Sequence, residues 1–511
     1  MNRKLLYIIL SALMCVCVSC REEPDNVYSY AFNDNLVYDK AKNSYAEKFK
    51  VLWSALNANY ALWDYEEERF GLNWDAVYDT YLPQFEQLDS AQSVSDVELQ
   101  WLMEDLLSPL HDGHLQVQMY NHKTKHYLSY SPASTRNEAR VKEEGSKNFH
   151  ADLSYYRADE IIVSKEMSTE AADLLEATRT RVIYSIRDTL AVYAQKGTLT
   201  DLDSFFVENL QDLQTELKKS LTLNRYNQLV AQYAFLNLPE LKAIDTTFSS
   251  NGLTVRYALF QGNIAYLQFN RFHLTTYLNS ANRNSTFGSI SDQGKEYVDQ
   301  LVDVWQSWFD TIQVLHQNGQ LGGVIIDVRT NGGGYVNDYQ YVLGALLPEG
   351  GYTACYSRFK RGPGRYDYSP LMPFAMPTYS GDHAVLTTEP IVVLCNASSG
   401  SMSEMTSRGV KQLPNGTLIG TRTYGALSAL TSIESYSQEY AGTVGVKGTT
   451  PVYCYIPSMA TFELDEAGNY VQLEGVGITP DIEIELNQSL KKNQGRDTQL
   501  ERALQFIRTG N

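Results

Sequence analysis

The sequence predicts an α/β protein in which a helical N-terminal module and a helical insert precede a crossover α/β core. Up to about residue 250, apolar residues recur mainly at three- and four-residue steps, which is typical of amphipathic helices. Beyond that point, short apolar runs such as "GVIID" and "PIVVLCN" alternate with helical patterns, which favours strands joined by crossover helices. With 511 residues, of which 43% are hydrophobic, the chain is long enough for two or three domains.

The first segment, residues 1–20, carries an export pattern. Arg3 and Lys4 precede an apolar run from Leu5 to Val18, which is shorter than a bilayer span but suits the centre of a secretory signal. The segment resembles a bacterial lipoprotein signal, which implies lipidation of Cys20 and a mature chain held at a membrane through its lipid alone. We therefore expect an exported protein anchored to the outer membrane of a Gram-negative bacterium, facing the periplasm or the cell surface. A plain signal peptide is the alternative.

The charge balance and motif content limit the partners. The formal net charge is −18 and there is no basic arm, so nucleic acid is not an expected partner. The sequence has neither a P-loop nor a Gly-x-Gly-x-x-Gly element after a strand, so no nucleotide cofactor is expected. His122 and His126 stand four apart in "NHKTKH" without an HExxH element, and we expect no metal there.

Helical patterns dominate residues 21–120, the first module after the signal. In "SVSDVELQWLMEDLLSPL" a Ser-x-x-Asp/Glu signal starts a helix that Pro109 ends, and "HDGHLQVQM" indicates a turn followed by a strand. Residues 121–250 are expected to form a polar loop up to about residue 152 and then a helical insert charged on its outer faces. Residues 251–490 carry the α/β core, and residues 491–511 a C-terminal tail or helix.

The stretch "LCNASSGSMSEMTSRG" places Ser401 where an apolar strand turns into a helix. There the N–H of Met402 and the positive end of the helix favour negative charge, as acyl transfer through a serine requires. The alternative is that Ser399 or Ser401 is only a helix cap, with Glu404 completing a capping box. A second element, "VIIDVRTNGGG", ends a strand in three glycines, whose backbone is free to wrap around a bound group.

Four motifs together resemble one family. "IIDVRTNGGG", "PIVVLCNASSGSMSE", "GTLIGTRTYG" and "EGVGITPDIEI" follow one another as in the C-terminal-processing, or tail-specific, serine peptidases, over roughly Gly262 to Leu486. The N-terminal module resembles that of the tricorn-core-like branch. The resemblance implies a ClpP/crotonase-like serine peptidase core that hydrolyses peptides or unfolded protein tails through an acyl-enzyme, without a cofactor. In the tail-specific pattern a general-base lysine follows the serine, but its position here is Ala426.

The resemblance to the tricorn branch implies where another base lies. Ser401 is then the nucleophile, His114 in "HDGHLQV" the general base and Glu474 in "LEGVGITPD" the group behind the imidazole. Imidazole suits this task because its ordinary pKa is near neutrality. Asp112 is the alternative for orienting the ring.

Two further site expectations accompany Ser401, His114 and Glu474. Ser403 either supports the network or only faces the helix. The backbone N–H groups of Met402 and Gly333 are the expected oxyanion hole.

The rival function is a catalytically inactive protein on the same fold that binds peptides or apolar small molecules, as do the retinoid-binding relatives of this family.

Overall fold

A computed structural model gives the fold over most of the chain. It describes residues 35–144, 169–199, 201–219, 241–247 and 253–510, apart from gaps at 254, 280–291, 348–350, 363, 377–384, 386, 430–441, 466 and 487–496. The predicted signal at 1–20, including Cys20, lies outside the described residues. Within the described ranges, no helix is both long enough and apolar enough to cross a bilayer.

The N-terminal module is helical, as predicted. Its helices are α1 (Asn35–Ala41), α2 (Tyr45–Asn59), α3 (Trp63–Phe70), α4 (Trp74–Ser90) and α5 (Asp96–Leu107). Helix α5 begins with the expected capping box, in which Ser95 Oγ accepts the Glu98 N–H at 3.2 Å and the Glu98 carboxylate accepts the Ser95 N–H at 2.8 Å. The rings of Trp53 and Trp74 stack in the core between α2 and α4.

The other helices and the strands follow in chain order. The helices are α6 (Ala133–Glu144), α7 (Thr169–Ala194), α8 (Asp201–Leu217), α9 (Thr275–Leu278), α10 (Asp292–Gln317), α11 (Met402–Lys411) and α12 (Thr498–Thr509). The strands are β1 (Gln116–Asn121), β2 (His126–Tyr130), β3 (Leu241–Thr247), β4 (Val255–Phe260), β5 (Ile264–Phe269), β6 (Gly323–Asp327), β7 (Tyr352–Phe359), β8 (Met372–Met376), β9 (Ile391–Cys395), β10 (Gly416–Gly420), β11 (Thr443–Val444), β12 (Val452–Tyr455), β13 (Met459–Leu464), β14 (Tyr470–Gln472) and β15 (Ile482–Glu483).

The central sheet confirms the predicted crossover α/β core. Its strand order is β15-β10-β9-β6-β5-β4-β3, parallel from β15 to β5 and antiparallel across β4 and β3. Strands β5, β6 and β9 are buried along their whole length, as expected of parallel strands covered on both faces. Helix α10 packs Trp308 on one face, while α12 packs Leu500 on the other. The carboxyl ends of β6 and β9 carry the glycine turn and the Ser401 turn.

A second sheet joins the N-terminal module to the C-terminal part of the chain. Its order is β11-β12-β1-β2, and all of its pairs are antiparallel. Val452 and Cys454 of β12 and Phe462 of β13 lie in the same buried cluster as the N-terminal helices. The predicted boundaries at 120 and 251 therefore do not separate two independent cores. A third sheet, β14-β13-β7-β8, is also antiparallel.

The first part of the segment predicted as polar loop and helical insert departs from that prediction where the structure describes it. Residues 126–130 form β2 and residues 133–144 form α6, so the loop prediction is wrong there. Polar composition concealed both, because β2 is an edge strand and α6 exposes residues 137–139, 142 and 143 to solvent. The predicted helices follow as α7 and α8, whose Ile186 and Leu213 pack in the cluster beneath the central sheet.

Candidate active site

Ser401 occupies a strained turn between β9 and α11. Its backbone has φ 53° and ψ −116°, whereas an ordinary helix cap lies in the β region. Positive φ is uncommon for a residue other than glycine and costs on the order of 1–3 kcal/mol, so such residues concentrate at functional sites. Its N–H donates to Ala426 O at 3.1 Å and to the Glu404 carboxylate at 3.1 Å. Ser401 and Glu404 form the capping box that the alternative predicts, but the positive φ of Ser401 is not that of an ordinary cap.

The neighbouring serines have other surroundings. Ser399 is buried, and its Oγ donates to Val328 O at 2.8 Å, which fixes the turn to the end of β6. Ser403 is also buried, and its Oγ has no partner among the described residues. Ser401 is half-buried. Of these three serines, Ser401 is therefore the one that a substrate can reach.

The glycine turn after β6 packs directly on Ser401. A Cβ added to Gly333, which has φ 95°, would lie 2.6 Å from Ser401 Cβ and 2.7 Å from Met402 N. The Gly333 N–H, however, donates to Asn331 Oδ1 at 2.9 Å. In this conformation the asparagine side chain thus closes its own turn two residues on and engages the Gly333 N–H, and the oxyanion role of Gly333 stays a prediction. Gly333 supplies room for the turn to approach Ser401. Met402 N–H, at the first helical position, lacks an acceptor within its own helix and stays the predicted donor.

A buried arginine holds this turn in place. Arg329 forms ion pairs with Asp327 at 2.6 Å and with Asp497 at 2.7 Å, and all three side chains are buried. Asp497 is the N-cap of α12, so the "DVR" motif ties the end of β6 to the C-terminal helix. A buried cation between two carboxylates has little freedom to move, and the turn beside Ser401 is held accordingly.

His114 lies in a tight loop two residues before β1. Asp112 Oδ1 accepts the N–H groups of His114 and Leu115, each at 2.6 Å. A Cβ added to the intervening Gly113 would lie 2.6 Å from Ala426 Cβ. Since Ser401 N–H donates to Ala426 O, the His114 loop and the serine turn meet on opposite sides of Ala426.

The position of the family lysine is thus in contact with the histidine loop. Ala426 is buried, and its Cβ lies so close to Gly113 that residue 113 has no room for a side chain. Among the described residues no hydrogen bond joins the His114 ring to Ser401 or to Glu474, and His114 Nδ1 is buried without a partner. The assignment of His114 as base stays a prediction.

The surroundings of His114 favour the neutral ring. Burial lowers the pKa of His114; the Glu474 carboxylate raises it and Arg136 lowers it further. An imidazole that is neutral at physiological pH is in the form needed to accept a proton from a serine hydroxyl.

Glu474 is buried and accepts four hydrogen bonds from elsewhere. Its Oε1 accepts from Gly113 N–H at 3.1 Å and Arg136 Nη1 at 2.6 Å, and its Oε2 accepts from the N–H groups of Leu427 and Ser428 at 2.8 and 2.7 Å. Glu474 therefore fixes the backbone on both sides of the Gly113–Ala426 contact. Its predicted bond to the imidazole is not formed here.

Asp112, the other predicted partner of the imidazole, orients the loop through its backbone. Burial, and then the nearby Glu474, raise the pKa of Asp112 to about 7, so near neutrality about half of it is protonated. Its Oδ2 is buried without a partner among the described residues. In this conformation Asp112 contacts the His114 N–H and leaves the ring untouched.

Sequence reasoning missed two residues that complete the site. Glu404 accepts the N–H groups of Gly425 and Ala426, both at 2.7 Å, in addition to that of Ser401, and burial raises its pKa to about 7. The sequence "SMSE", residues 401–404, places Glu404 three residues after Ser401, but a capping box explained that spacing equally well. Arg136 comes from α6, inside the segment predicted as a loop, where no local pattern marks it.

Comparisons with known proteins identify peptidases as similar to this chain. Residues 263–484 match peptidase family S41. The tricorn protease of Thermoplasma volcanium is 30% identical over 189 residues, which is 36% of this chain and 14% of that protein. The carboxy-terminal-processing protease of Bartonella bacilliformis is 28% identical over 191 residues, 37% of each chain. The alignments thus cover well under two thirds of these relatives. A crystal structure of a Parabacteroides merdae protein is 16% identical, with TM-score 0.47, over 92% of this chain and 98% of that one.

Proposed function

We propose, because residues 263–484 match peptidase family S41, that the chain is a serine peptidase that hydrolyses peptides or unfolded protein tails through an acyl-enzyme on Ser401. The matched range contains Ser401, Gly333 and Glu474, while His114 lies outside it in the N-terminal module. The catalytic unit would therefore need both parts of the chain.

One observation carries the proposal: the backbone of Ser401 is held at positive φ at the start of a helix, in contact with a glycine turn. A serine that serves only as a cap has no need of this conformation. The next residue, Met402, carries the first N–H of the helix, close to the same glycine turn. An attacked carbonyl oxygen in that place would receive a backbone donor as it becomes negative.

In the proposed reaction His114 takes the proton from Ser401 Oγ as the oxygen attacks the peptide carbonyl. The protonated ring then gives the proton to the leaving amine, and a water repeats the sequence to release the acyl group. Glu474 holds the His114 loop through Gly113 and, when the ring becomes charged, supplies the nearby negative charge that stabilises it. Ser403 and Asp112 have no direct part in these steps.

The location of this activity is proposed to be outside the cytoplasm. Support comes from the export pattern of residues 1–20, which would leave the chain anchored by a lipid on Cys20 at the outer membrane. The fate of the first twenty residues can be read from the intact mass of membrane-extracted protein.

The test uses soluble protein that begins after Cys20, incubated with a peptide mixture and a fluorophosphonate probe. The wild-type protein is expected to cleave peptides and to be labelled on Ser401, and Ser401→Ala to do neither. Folded wild-type protein that shows neither turnover nor labelling would refute the proposal and favour a binding protein on this fold. Unchanged turnover in His114→Ala would remove His114 as the base even where Ser401→Ala is inactive.

A further inference from the structure

Arg136 joins three segments of the candidate site. Its Nη1 donates to Glu474 Oε1 at 2.6 Å and to His111 O at 3.1 Å, and its Nη2 donates to Gly425 O. The guanidinium lies over the ring of Tyr424, 4.8 Å from its centroid, and the side chain is only 11% exposed. The guanidinium group of Arg136 thus bonds the start of the His114 loop, the Glu474 carboxylate and the segment that carries Ala426.

We propose that Arg136 is a positioning residue that holds the His114 loop against Ala426 and the serine turn. This inference rests on the proposed function, in which His114 acts on Ser401. It also gives a role to α6: the helix delivers a side chain that ties the N-terminal module to the serine turn.

The contact between the two loops makes the position of Arg136 consequential. Gly113 approaches Ala426 so closely that an added Cβ would be 2.6 Å away, and Ala426 O accepts the Ser401 N–H at 3.1 Å. Arg136 bonds the residue before Ala426 and the residue two before Gly113. Loss of these bonds would let the two loops separate at the Gly113–Ala426 contact. A displacement of about 1 Å in such a site lowers rates by roughly hundredfold.

Charge gives Arg136 a second effect on the same loop. The charged groups that act on the His114 ring are the Glu474 carboxylate and the Arg136 guanidinium; Asp112 bonds the backbone of the loop, and Glu66 pairs with the His111 ring at 2.8 Å. Carboxylates attract a proton to the His114 ring, whereas the positive charge of Arg136 opposes it and lowers the pKa of His114. Without Arg136 the ring is expected to become protonated at higher pH, and a protonated imidazole cannot act as a base.

The same helix offers a matched control. Arg140 lies one turn further along α6, is likewise buried, and donates to Thr423 O at 2.9 Å and to the Glu143 carboxylate rather than to Glu474. Arg140→Met therefore removes a buried cation from the same helix, while the bonds of Arg136 to His111 O, Glu474 and Gly425 O are left in place. Arg136→Lys keeps the charge but loses the planar fork.

The experiment combines two readouts on the whole soluble chain: NMR titration of His114 in protein with 13C-labelled histidine, and the rate of fluorophosphonate labelling. In Arg136→Met the His114 signal is expected to titrate at higher pH than in wild type, with labelling slower by roughly hundredfold at neutral pH. In Arg136→Lys the His114 signal should titrate as in wild type, while fluorophosphonate labelling should be slow. Arg140→Met should match wild type in both the His114 titration and the labelling rate. The signal is assigned by its loss in His114→Gln.

Two results would overturn the inference. One is a His114 titration in Arg136→Met at the wild-type pH, and the other is an equal change in Arg140→Met. The titration reports on Arg136 whether or not the protein turns over substrate, so an inactive wild type refutes the proposed function without hiding the answer for Arg136. If Arg136→Met does not fold, Arg136→Lys decides: wild-type labelling in that variant contradicts the positioning role.

Discussion

Gly333→Ala tests the contact between the glycine turn and Ser401. The added Cβ would lie 2.6 Å from Ser401 Cβ, 2.7 Å from Gly400 O and 2.7 Å from Met402 N, none of which is the end of a flexible side chain. Ordinary carbon contacts begin near 3.5 Å, so the turn and the serine would have to separate by about 1 Å. The φ of 95° adds strain, since alanine rarely adopts positive φ.

The expected magnitude follows from these two effects. Strained φ costs about 1–3 kcal/mol and overpacking about 1–3 kcal/mol, so Gly333→Ala should lose roughly 2–6 kcal/mol of folding stability if the turn stays in place. If the turn moves instead, the rate of fluorophosphonate labelling should fall by roughly hundredfold, because Ser401 and the Met402 N–H would be displaced by about 1 Å from their present positions.

The adjacent glycine is the control. A Cβ on Gly332 would meet nothing within 4 Å, and its φ is not positive, so Gly332→Ala should keep wild-type labelling and stability. Thermal unfolding and labelling rate are measured for both variants. Wild-type labelling and an unchanged unfolding temperature in Gly333→Ala would refute the reasoning.

Three further substitutions test separate parts of the structure. Ser401→Gly should be more stable than Ser401→Ala by about 1 kcal/mol in thermal unfolding, because only glycine adopts the positive φ without strain; a less stable Ser401→Gly would contradict the claim that this residue is strained. Ala426→Lys should not restore a lysine base but should displace the Gly113 loop and slow fluorophosphonate labelling, and faster labelling would show that the lysine position is still open. Burial lowers the pKa of Lys48 to about 7, so the unfolded chain binds more protons above that pH and stability should rise with pH between 7 and 9. That rise, about 2 kcal/mol by urea unfolding, should disappear in Lys48→Met, and equal slopes in the two proteins would show that Lys48 is not titrating.

Sequence patterns predicted the elements whose signals are local. The start of α5 at Ser95 and the passage from β9 through Ser401 into α11 follow from capping residues and hydrophobic period alone. The crossover core followed from alternating buried strands and helices.

Features that depend on contacts between distant parts of the chain were beyond such patterns. The pairing of β1 with β12 joins residues more than three hundred positions apart, and no periodicity in either strand indicates its partner. The bond from Arg136 to Glu474 is equally remote and arises from a helix whose composition resembles a loop. The engagement of Gly333 N–H by Asn331 depends on a side-chain rotamer, which residue type alone does not determine.

The absence of the family lysine illustrates how sequence and structure complement each other. The sequence showed alanine at position 426, and the search for a base then turned to His114. The structure adds that the two features are neighbours: Ala426 Cβ packs against Gly113, the residue directly before His114.

The central claim is that Ser401 is a nucleophile served by His114, and the rate of fluorophosphonate labelling tests it most directly. Wild-type protein and His114→Gln are compared at pH 8, with the modified residue located by mass spectrometry. The account predicts a single adduct on Ser401 in wild type and labelling slower by at least about hundredfold in His114→Gln. Equal labelling rates in the two proteins, or an adduct on another serine, would contradict it.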